Sequence, residues 1–449
     1  MKPVVCIVFL FAVTACSRIG ASSAVPEANA RDVQPFNLGN GKIQHVIVIV
    51  QENRTVDNLF NGFPGADTVQ SGKNSYGTTV PLQPVSLAAP YDIGHDHGNW
   101  LNEYNDGKMN GFNLDSEKCY AKKSGGCPHH TIAAYGYVPK DEVKQYWTLA
   151  QSYVFADNTF ETNQGPSFPA HQYLVSGSSS INNDIWNRAA DNASAENLRH
   201  QGGCDSGVRA TVPVININGN LVKPVFPCFE RRSIMTRMNE MNVTWRYYQA
   251  RPGHGAWNAL DALRGIRYGT SYKNVIWPSH TFIRDVAKGR LAQVTYVTPT
   301  ANNSDHPAHN NGTGPAWVAS VVNAVGESPY WDITAIFITW DDWGGWYDHV
   351  APHIYNAYEL GFRVPLIVVS PYAKSGYVSH QAHEFGSILK FVEGVFNLKS
   401  LDTTDVRSDD FSDCFDFSQA PRKFKRIPGA LGKGYFTNQS DSADEPEED

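Results

Sequence analysis

Short runs of aliphatic and β-branched residues alternate with polar clusters along most of the chain. The first run, Val46 to Val50, consists of aliphatic residues only, which is typical of a strand covered on both faces. β-branched side chains suit such a pleated, buried surface. Further runs predict strands at 154–156, 243–248, 290–296, 333–339 and 363–370, and helices at 140–153, 233–242 and 384–396. This pattern predicts a doubly wound α/β sheet.

Polar clusters follow these predicted strands directly. Glu52 and Asn53 come after the first strand and Asp341 and Asp342 after the strand at 333–339, where α/β proteins commonly place their sites. The four residues offer hard oxygen ligands for a divalent cation. Adjacent acids repel each other unless a cation or a shared proton lies between them. The alternatives are that Glu52 and Asn53 cap a helix and that the acid pair forms a solvated turn.

Three tryptophans around the acid pair weaken the interpretation as a solvated turn. Trp340, Trp343 and Trp346 flank Asp341 and Asp342 closely. Aromatic side chains of this size are seldom left in water. We therefore favour a buried cation site at this strand end.

A second informative stretch follows the strand at 154–156. Gly165-Pro166 is a turn signal, and Ser167 is predicted at or near the N-cap of a helix that has Pro169 in its first turn. One interpretation is a capping serine alone. The other is a nucleophile beside free N–H groups that receive a phosphate.

Histidines also lie in the polar clusters. His95 and His97 are two apart in a predicted loop, a spacing that can place both rings on one side of an extended chain. Local hydrogen bonding of two surface histidines is the alternative. His306 follows the strand at 290–296 within Asp305-His306-Pro307.

Composition limits the class of protein. The chain has 449 residues, 41% hydrophobic and 18% charged, enough for one large α/β domain or two medium ones. Its net charge of −7 argues against a nucleic-acid-binding surface. The motifs G-x-S-x-G, H-E-x-x-H, G-x-G-x-x-G and the P-loop do not occur in the sequence.

The N-terminus predicts export. Lys2 precedes a short apolar run, and Val13-Thr14-Ala15-Cys16 resembles a lipoprotein signal in which Cys16 would be lipidated. Cleavage within 21–24 by an ordinary signal peptidase is the alternative. The run is too short to span a membrane, so we expect a signal peptide at 1–24 and a periplasmic, outer-membrane or secreted protein. A lipidated Cys16 would associate it with a membrane.

Cysteine spacing and composition suggest further features. An oxidising compartment permits disulfides, and we predict the short-loop pairs Cys119–Cys127 and Cys204–Cys228, which leave Cys414 over. We expect an irregular, cap-like insertion at 178–230 because this segment is rich in Asn, Gly and Ala. Residues 401–449 are predicted as an extension whose acidic part beyond Gly432 is disordered.

Four ordered sequence blocks resemble one family. The blocks are Glu52-Asn53-Arg54-Thr55, Gly165-Pro166-Ser167-Phe168-Pro169, Asp305-His306-Pro307 and the stretch from Trp340 to Val350. They resemble the bacterial phosphoesterase family of phospholipases C and secreted acid phosphatases, across most of residues 37–400. The resemblance implies an alkaline-phosphatase-like three-layer α/β/α sandwich with a mostly parallel central sheet.

The resemblance also implies roles for individual residues. Glu52, Asn53, Asp341 and Asp342 match the metal ligands, and Ser167 matches the nucleophile. His95 and His306 match histidines that contact phosphate and act as acid or base. Asp342 stands where many of the phospholipases carry Glu, and Ser167 where they often carry Thr, so both departures favour the acid-phosphatase branch. The resemblance assigns no role to five further histidines, His97, His309, His349, His380 and His383.

Together these features predict metal-dependent hydrolysis of phosphate esters. A serine beside a cation becomes a nucleophile when its proton is displaced. One divalent ion is expected, Mg, Ca, Mn or Zn, and the substrate is a phosphate monoester or a phospholipid. Two alternatives remain, a metal-free serine carboxylesterase using Ser167 and His306, and a non-catalytic lipid- or glycan-binding surface protein.

Overall fold

The computed structural model describes residues 1, 38–39, 41–121, 126–195, 201–429 and 431–439. The predicted signal peptide, Cys16 and the acidic stretch 440–449 lie outside the described residues, so these predictions are untested.

A sheet of eight strands forms the centre of the protein. Only one strand, Leu366–Val369, runs antiparallel to its neighbours. This arrangement confirms the predicted α/β fold with a mostly parallel central sheet. In spatial order the strands are Val275–Ile276, Trp245–Tyr248, Val294–Val297, His45–Gln51, Thr334–Trp340, Leu366–Val369, Val154–Ala156 and Tyr377–Ser379.

The two longest strands lie side by side in the middle of this sheet. His45–Gln51 and Thr334–Trp340 pair in parallel over their whole length, with Gln51 opposite Trp340. Their residues are buried except for a partly exposed His45. Because both strands run the same way and end in register, the residues that follow them emerge at the same sheet edge.

Helices cover both faces of the sheet. Phe337 packs against Phe391 of the helix Phe385–Phe396, with ring centroids 4.9 Å apart. The next residue, Ile338, points to the other face of the sheet, because side chains alternate along a strand. Ile338 pairs with Ile367, and Ile367 pairs with Phe155. Phe155 therefore lies on the face opposite to Phe337. There Phe155 stacks on Phe60, which stacks on Trp147 of another helix. The sheet is therefore the middle of three layers.

The α-helices vary from one turn to more than three turns. They are Val56–Leu59, His97–Tyr104, His130–Ala133, Lys144–Ser152, Ser167–Ser176, Ile234–Glu240, Arg264–Arg267, Thr281–Ala287, Gly314–Gly326, Phe385–Phe396 and Lys433–Thr437.

Two expectations from composition need correction. The segment 178–230 is not irregular throughout, because Asn187–Ala189, Val212–Asn216 and Leu221–Val225 form a three-stranded antiparallel sheet. The prediction of disorder directly beyond Gly432 is also wrong, since Lys433–Thr437 is helical. The helix forms because Phe436 is fully buried and joins the main hydrophobic core.

The predicted disulfides are confirmed. Cys119 pairs with Cys127 and Cys204 with Cys228. Cys414 has a free thiol and is completely buried.

Candidate active site

Four oxygen-bearing side chains meet at the carboxyl edge of the two central strands. Glu52 and Asn53 follow one strand, Asp341 and Asp342 follow the other, and all four are fully buried. The strand pairing continues into this region, since the Asp341 N–H donates to the Gln51 carbonyl at 2.9 Å. The Asn53 N–H donates to Asp341 Oδ1 at 3.0 Å. The parallel register thus brings the two pairs together, as expected from their positions after the strands.

A glycine allows the chain to turn close to Asn53. Asn53 has a positive φ of 59°, a conformation that Asn tolerates better than most residues. Gly344 lies so near that a Cβ on it would stand 2.6 Å from Asn53 Cβ. The Gly344 N–H donates to Asp342 Oδ1 at 2.8 Å and so orients that carboxylate.

Ser167 contacts two of these carboxylates. It is the first residue of the helix Ser167–Ser176, which has Pro166 at its N-cap. Its hydroxyl lies 3.0 Å from Asp342 Oδ2 and 3.4 Å from Glu52 Oε2. The side chain is fully buried, and the N-cap position of this helix is occupied by Pro166 and not by Ser167. These contacts argue against an N-cap role alone.

His171 belongs to the site and was missed in the sequence. Its Nε2 lies 3.2 Å from Glu52 Oε1 and 3.6 Å from Asp341 Oδ2. Burial lowers the pKa of His171 to about 4, although the negative charge of Asp341 acts to raise it. His171 follows Ser167 by four residues, one helical turn, so helical periodicity from the predicted nucleophile could have found it.

The donor set fits a divalent cation. Asn53 Oδ1 and Asp341 Oδ2 are buried without a hydrogen-bond partner in the described structure, although such oxygens are normally satisfied. Glu52, His171 and Asp341 each place a ligand atom within 4.8 Å of the others. Carboxylate and amide oxygens suit Mg, Ca or Mn, and the imidazole also admits Zn.

A further carboxylate, Glu161, responds to the charge of the acid pair. It is completely buried, and burial, together with Asp342 and Asp341, raises its pKa well above its usual range. A cation between the acids would oppose this effect because it reduces the negative field that Glu161 experiences.

Two predicted histidines lie beside one another near this cluster. The rings of His95 and His306 have centroids 6.2 Å apart. His95 Nε2 lies 3.0 Å from Asn53 Nδ2, while its Nδ1 faces the Ile93 carbonyl at 2.6 Å. The same tautomer is favoured in His306, whose Nδ1 lies 2.8 Å from the Pro307 carbonyl. Both rings therefore keep Nδ1–H and turn an Nε2 lone pair away from the backbone.

A buried polar network holds His306 in place. The preceding Asp305 accepts hydrogen bonds from Tyr146 and Trp340 at its Oδ2. Its N–H donates to Gln51 Oε1 at 3.0 Å, and its carbonyl accepts from Arg54. Gln51 and Arg54 flank Glu52 and Asn53, so the same chain segment orients the candidate ligands and the histidine loop.

The five histidines without an assigned role have separate surroundings. His309 packs near His306, with ring centroids 5.4 Å apart. The other four have Nδ1 contacts with backbone or carboxylate oxygens: His97 with Gln164 at 2.7 Å, His349 with Asp57 at 2.7 Å, His380 with Asp157 at 2.9 Å and His383 with Asp409 at 2.9 Å.

A cavity of about 320 Å³ lies next to the cluster. His95 and Pro166 belong to its lining, together with Asp191 and Asn192 from the insertion. The Asn192 side chain accepts a hydrogen bond from the Phe168 N–H at 2.9 Å. The insertion thus contacts the start of the Ser167 helix.

The chain belongs to the Phosphoesterase family, whose sequence profile matches residues 43–399. It is 22% identical to a non-hemolytic phospholipase C of Burkholderia pseudomallei over 89% of this chain and 63% of that protein. It is 24% identical to phospholipase C B of Mycobacterium tuberculosis, covering 85% of this chain and 79% of that one. Identity to the non-specific phospholipase C1 of Arabidopsis thaliana is also 24%, over 91% and 77% of the two chains.

The chain thus spans less than two thirds of the Burkholderia protein. Among solved structures, it is similar to a protein in the alkaline phosphatase superfamily from Vibrio parahaemolyticus. The TM-score is 0.37 and the identity 9%, over 83% of this chain and 70% of that one. No helix in the described part of the chain has the length and apolar character needed to cross a bilayer.

The buried, neutral His171 predicts acid lability of the metal-free protein. The pKa of His171 is about 4 in the folded protein, below the usual 6.5 of an imidazole in water. Between these pH values the unfolded chain binds a proton that the folded chain does not, so the free energy of unfolding falls as the pH falls. His171→Gln should remove about 1.4 kcal/mol per pH unit of this dependence. Urea denaturation in chelator at several pH values measures it.

The control is His380→Gln, because the His380 side chain is 62% exposed. This variant shows how far replacing a surface imidazole changes the slope of the free energy of unfolding against pH. Equal slopes in His171→Gln and His380→Gln would contradict the prediction.

Proposed function

We propose that the protein hydrolyses phosphate esters with Ser167 as nucleophile and one divalent cation held by Glu52, Asn53, Asp341 and Asp342. The observation that carries this proposal is the contact of the Ser167 hydroxyl with Asp342 at 3.0 Å. Family membership supports the reaction class, since the named relatives are phospholipases C. Ser167 lies at a helix N-terminus, which favours an anion.

Each residue has a defined task in this proposal. When bound, the cation would lower the proton affinity of the Ser167 hydroxyl and stabilise negative charge on phosphate oxygens. Asp342 and Glu52 orient the Ser167 oxygen, which attacks phosphorus and forms a phosphoseryl intermediate that water later cleaves. Asp341 and Asn53 complete the oxygen donor set. His171 contacts Glu52 and Asp341 and stays neutral, so it does not compete with the cation electrostatically.

His306 and His95 are proposed to bind the phosphoryl oxygens and to protonate the leaving alcohol. Burial lowers the pKa of His306 well below its usual range, and the positive charge of the neighbouring His95 and His309 lowers it further. The neutral ring carries no proton on Nε2, so only the protonated fraction of His306 can donate to a phosphoryl oxygen or to the leaving alcohol, and this fraction grows as the pH falls. A general acid of this kind favours turnover in acidic solution, in agreement with the acid-phosphatase branch.

The nature of the ester is a proposal of its own. The printed names of the relatives favour a phospholipid, whereas Ser167 and Asp342 favour a phosphomonoester by family resemblance. We propose an exported enzyme, and the disulfides Cys119–Cys127 and Cys204–Cys228 support an oxidising compartment. Lipidation of Cys16 is proposed on sequence alone.

The metal-free carboxylesterase is a weaker candidate. A serine esterase needs a histidine that takes the nucleophile's proton. The Ser167 hydroxyl instead lies within hydrogen-bonding distance of two carboxylates, those of Asp342 and Glu52. A non-catalytic binding protein would leave this buried carboxylate–hydroxyl arrangement without a purpose.

Ser167→Ala tests the nucleophile. Hydrolysis of p-nitrophenyl phosphate or phosphatidylcholine should fall by about 10⁴–10⁶-fold, the range for losing a covalent nucleophile. Thermal unfolding should change little, because only one hydroxyl is removed. Ser320→Ala is a matched control, since Ser320 is also a buried helical serine but bonds to its own helix. Ser167→Thr keeps a hydroxyl and should retain part of the activity.

Near-normal turnover in folded Ser167→Ala would contradict the proposal. A loss of activity accompanied by unfolding would instead assign Ser167 a structural role.

Removing the metal tests whether activity depends on a divalent cation. Comparing two substrates tests whether the enzyme is a phosphatase or a phospholipase C. Chelator should abolish activity on both esters, and Mg, Ca, Mn or Zn should restore it, with the order of metals identifying the natural ion. Asp341→Asn should need far more metal for half-maximal recovery than Ser320→Ala. A faster rate on p-nitrophenyl phosphate than on phosphatidylcholine assigns a phosphatase, and the reverse assigns a phospholipase C. Full activity after exhaustive chelation would contradict metal dependence.

A further inference from the structure

A second cluster of ligand-type side chains lies at the outer edge of the main sheet. It joins the edge strand Tyr377–Ser379, the short strand His383–Glu384 and the 3-10 turn Ser412–Cys414. The edge strand is three strands away from Thr334–Trp340, about 14 Å at ~4.8 Å per strand. This cluster is therefore separate from the candidate active site.

Three side chains of different type converge in this cluster. His383, Asp413 and Cys414 each place a ligand atom within 4.8 Å of the others. Asp413 Oδ1 lies 3.4 Å from Cys414 Sγ and 3.8 Å from His383 Nε2. Ligands of a tetrahedral zinc ion, bound at 2.0–2.3 Å, are separated from each other by about 3.3–3.7 Å. The distances from Asp413 Oδ1 to Cys414 Sγ and to His383 Nε2 are close to these separations between ligand atoms.

A carboxylate behind His383 supplies an independent indication. His383 Nδ1 lies 2.9 Å from Asp409 Oδ2, and Nε2 faces the Ser379 hydroxyl at 3.1 Å and Asp413 Oδ1 at 3.8 Å. Asp409 is itself held by the Phe411 N–H at 2.9 Å and by the Ser387 hydroxyl. Histidines that bind metal through one ring nitrogen commonly donate the other to an anchored carboxylate. Asp409 lies in the corresponding place beside His383, at ion-pair distance but without hydrogen-bond geometry at Nδ1.

A hydrogen-bond network without a metal is the alternative explanation of the cluster. Ser379 Oγ lies 3.1 Å from His383 Nε2, which gives a Ser–His–Asp arrangement with Asp409. The Ser379 hydroxyl also donates to Asp413, so its proton is not directed at His383 as it would be in a catalytic triad. The Cys414 thiol joins this network by donating to Asp413 Oδ1 at 3.4 Å. Burial and the charge of Asp413 raise the Cys414 pKa, which makes its thiol unreactive unless a cation binds it.

We infer that His383 Nε2, Asp413 Oδ1 and Cys414 Sγ form a second metal site, which takes a thiophilic divalent cation such as Zn²⁺. Thiolate and imidazole ligands select zinc over Mg or Ca. Asp409 anchors the histidine, and the fourth position is open to the Ser379 hydroxyl or to water. Binding releases the Cys414 thiol proton, so the affinity increases with pH.

The position of the site indicates a structural task. Cys414 and Phe411 are fully buried and belong to the main core, and Phe411 stacks on the His383 ring at 4.4 Å. A cation here ties the segment 409–414 to the edge of the sheet. Because it binds only the folded arrangement, zinc stabilises the folded state.

Cobalt loading of the full chain tests the proposal. The protein is stripped with chelator, dialysed against Co²⁺, and examined for a near-ultraviolet thiolate-to-cobalt band and for metal per chain. Wild type and Asp341→Asn should both show the band, since Asp341 belongs to the other site. Cys414→Ala should lose the band and one equivalent of metal, and Asp413→Asn should weaken cobalt binding at least tenfold. Ser412→Ala, a neighbouring exposed serine, is the matched control.

Thermal melting gives a second readout. Zn²⁺ should raise the melting temperature of Asp341→Asn and leave that of the double variant Asp341→Asn/Cys414→Ala unchanged. If Cys414→Ala does not fold, X-ray absorption of zinc-loaded wild type decides, because one sulfur at about 2.3 Å is expected. A zinc environment without sulfur, or equal cobalt spectra in wild type and folded Cys414→Ala, would overturn the proposal. Loss of catalysis on chelation does not bear on this outcome, so the two sites are tested separately.

Discussion

Repulsion among buried carboxylates is the constraint on which the site depends. Parallel pairing of His45–Gln51 with Thr334–Trp340 ends both strands at one level. The next residues, Glu52 and the pair Asp341 and Asp342, are then buried together. Such groups are costly to bury as anions unless a cation or a shared proton lies among them. A divalent cation held by these residues would resolve this conflict and, in the proposed function, would also supply the chemistry of phosphate ester hydrolysis.

The surroundings of the cluster follow from the same constraint. Gly344 lets the turn after the second strand close against Asn53, and the Ser167 helix begins beside the cluster, with the Ser167 hydroxyl 3.0 Å from Asp342. His171, on the next turn of that helix, is kept neutral by burial. The rings of His95 and His306 lie beside the cluster rather than within it. These features together leave an arrangement suited to an anionic substrate near a cation.

Sequence patterns predicted what depends on local periodicity and strand ends. The central strands, both disulfides and the convergence of Glu52 with Asp341 were expected because buried parallel strands present their final residues at one edge. His171 was missed, since its role depends on which helix face turns towards Glu52. The small sheet within 178–230 was also missed. Its strands are short and lie among Asn- and Gly-rich turns, which hide the alternation of buried residues.

Anomalous diffraction from crystals of the protein grown with Mn²⁺ tests the central claim most directly. We expect one strong peak at the carboxyl edge of the central strands, within about 2.0–2.6 Å of oxygens from Glu52, Asn53, Asp341 and Asp342. The Ser167 hydroxyl should point at the same peak. A fully occupied manganese elsewhere, with these four side chains still bonded only to protein or water, would contradict the account.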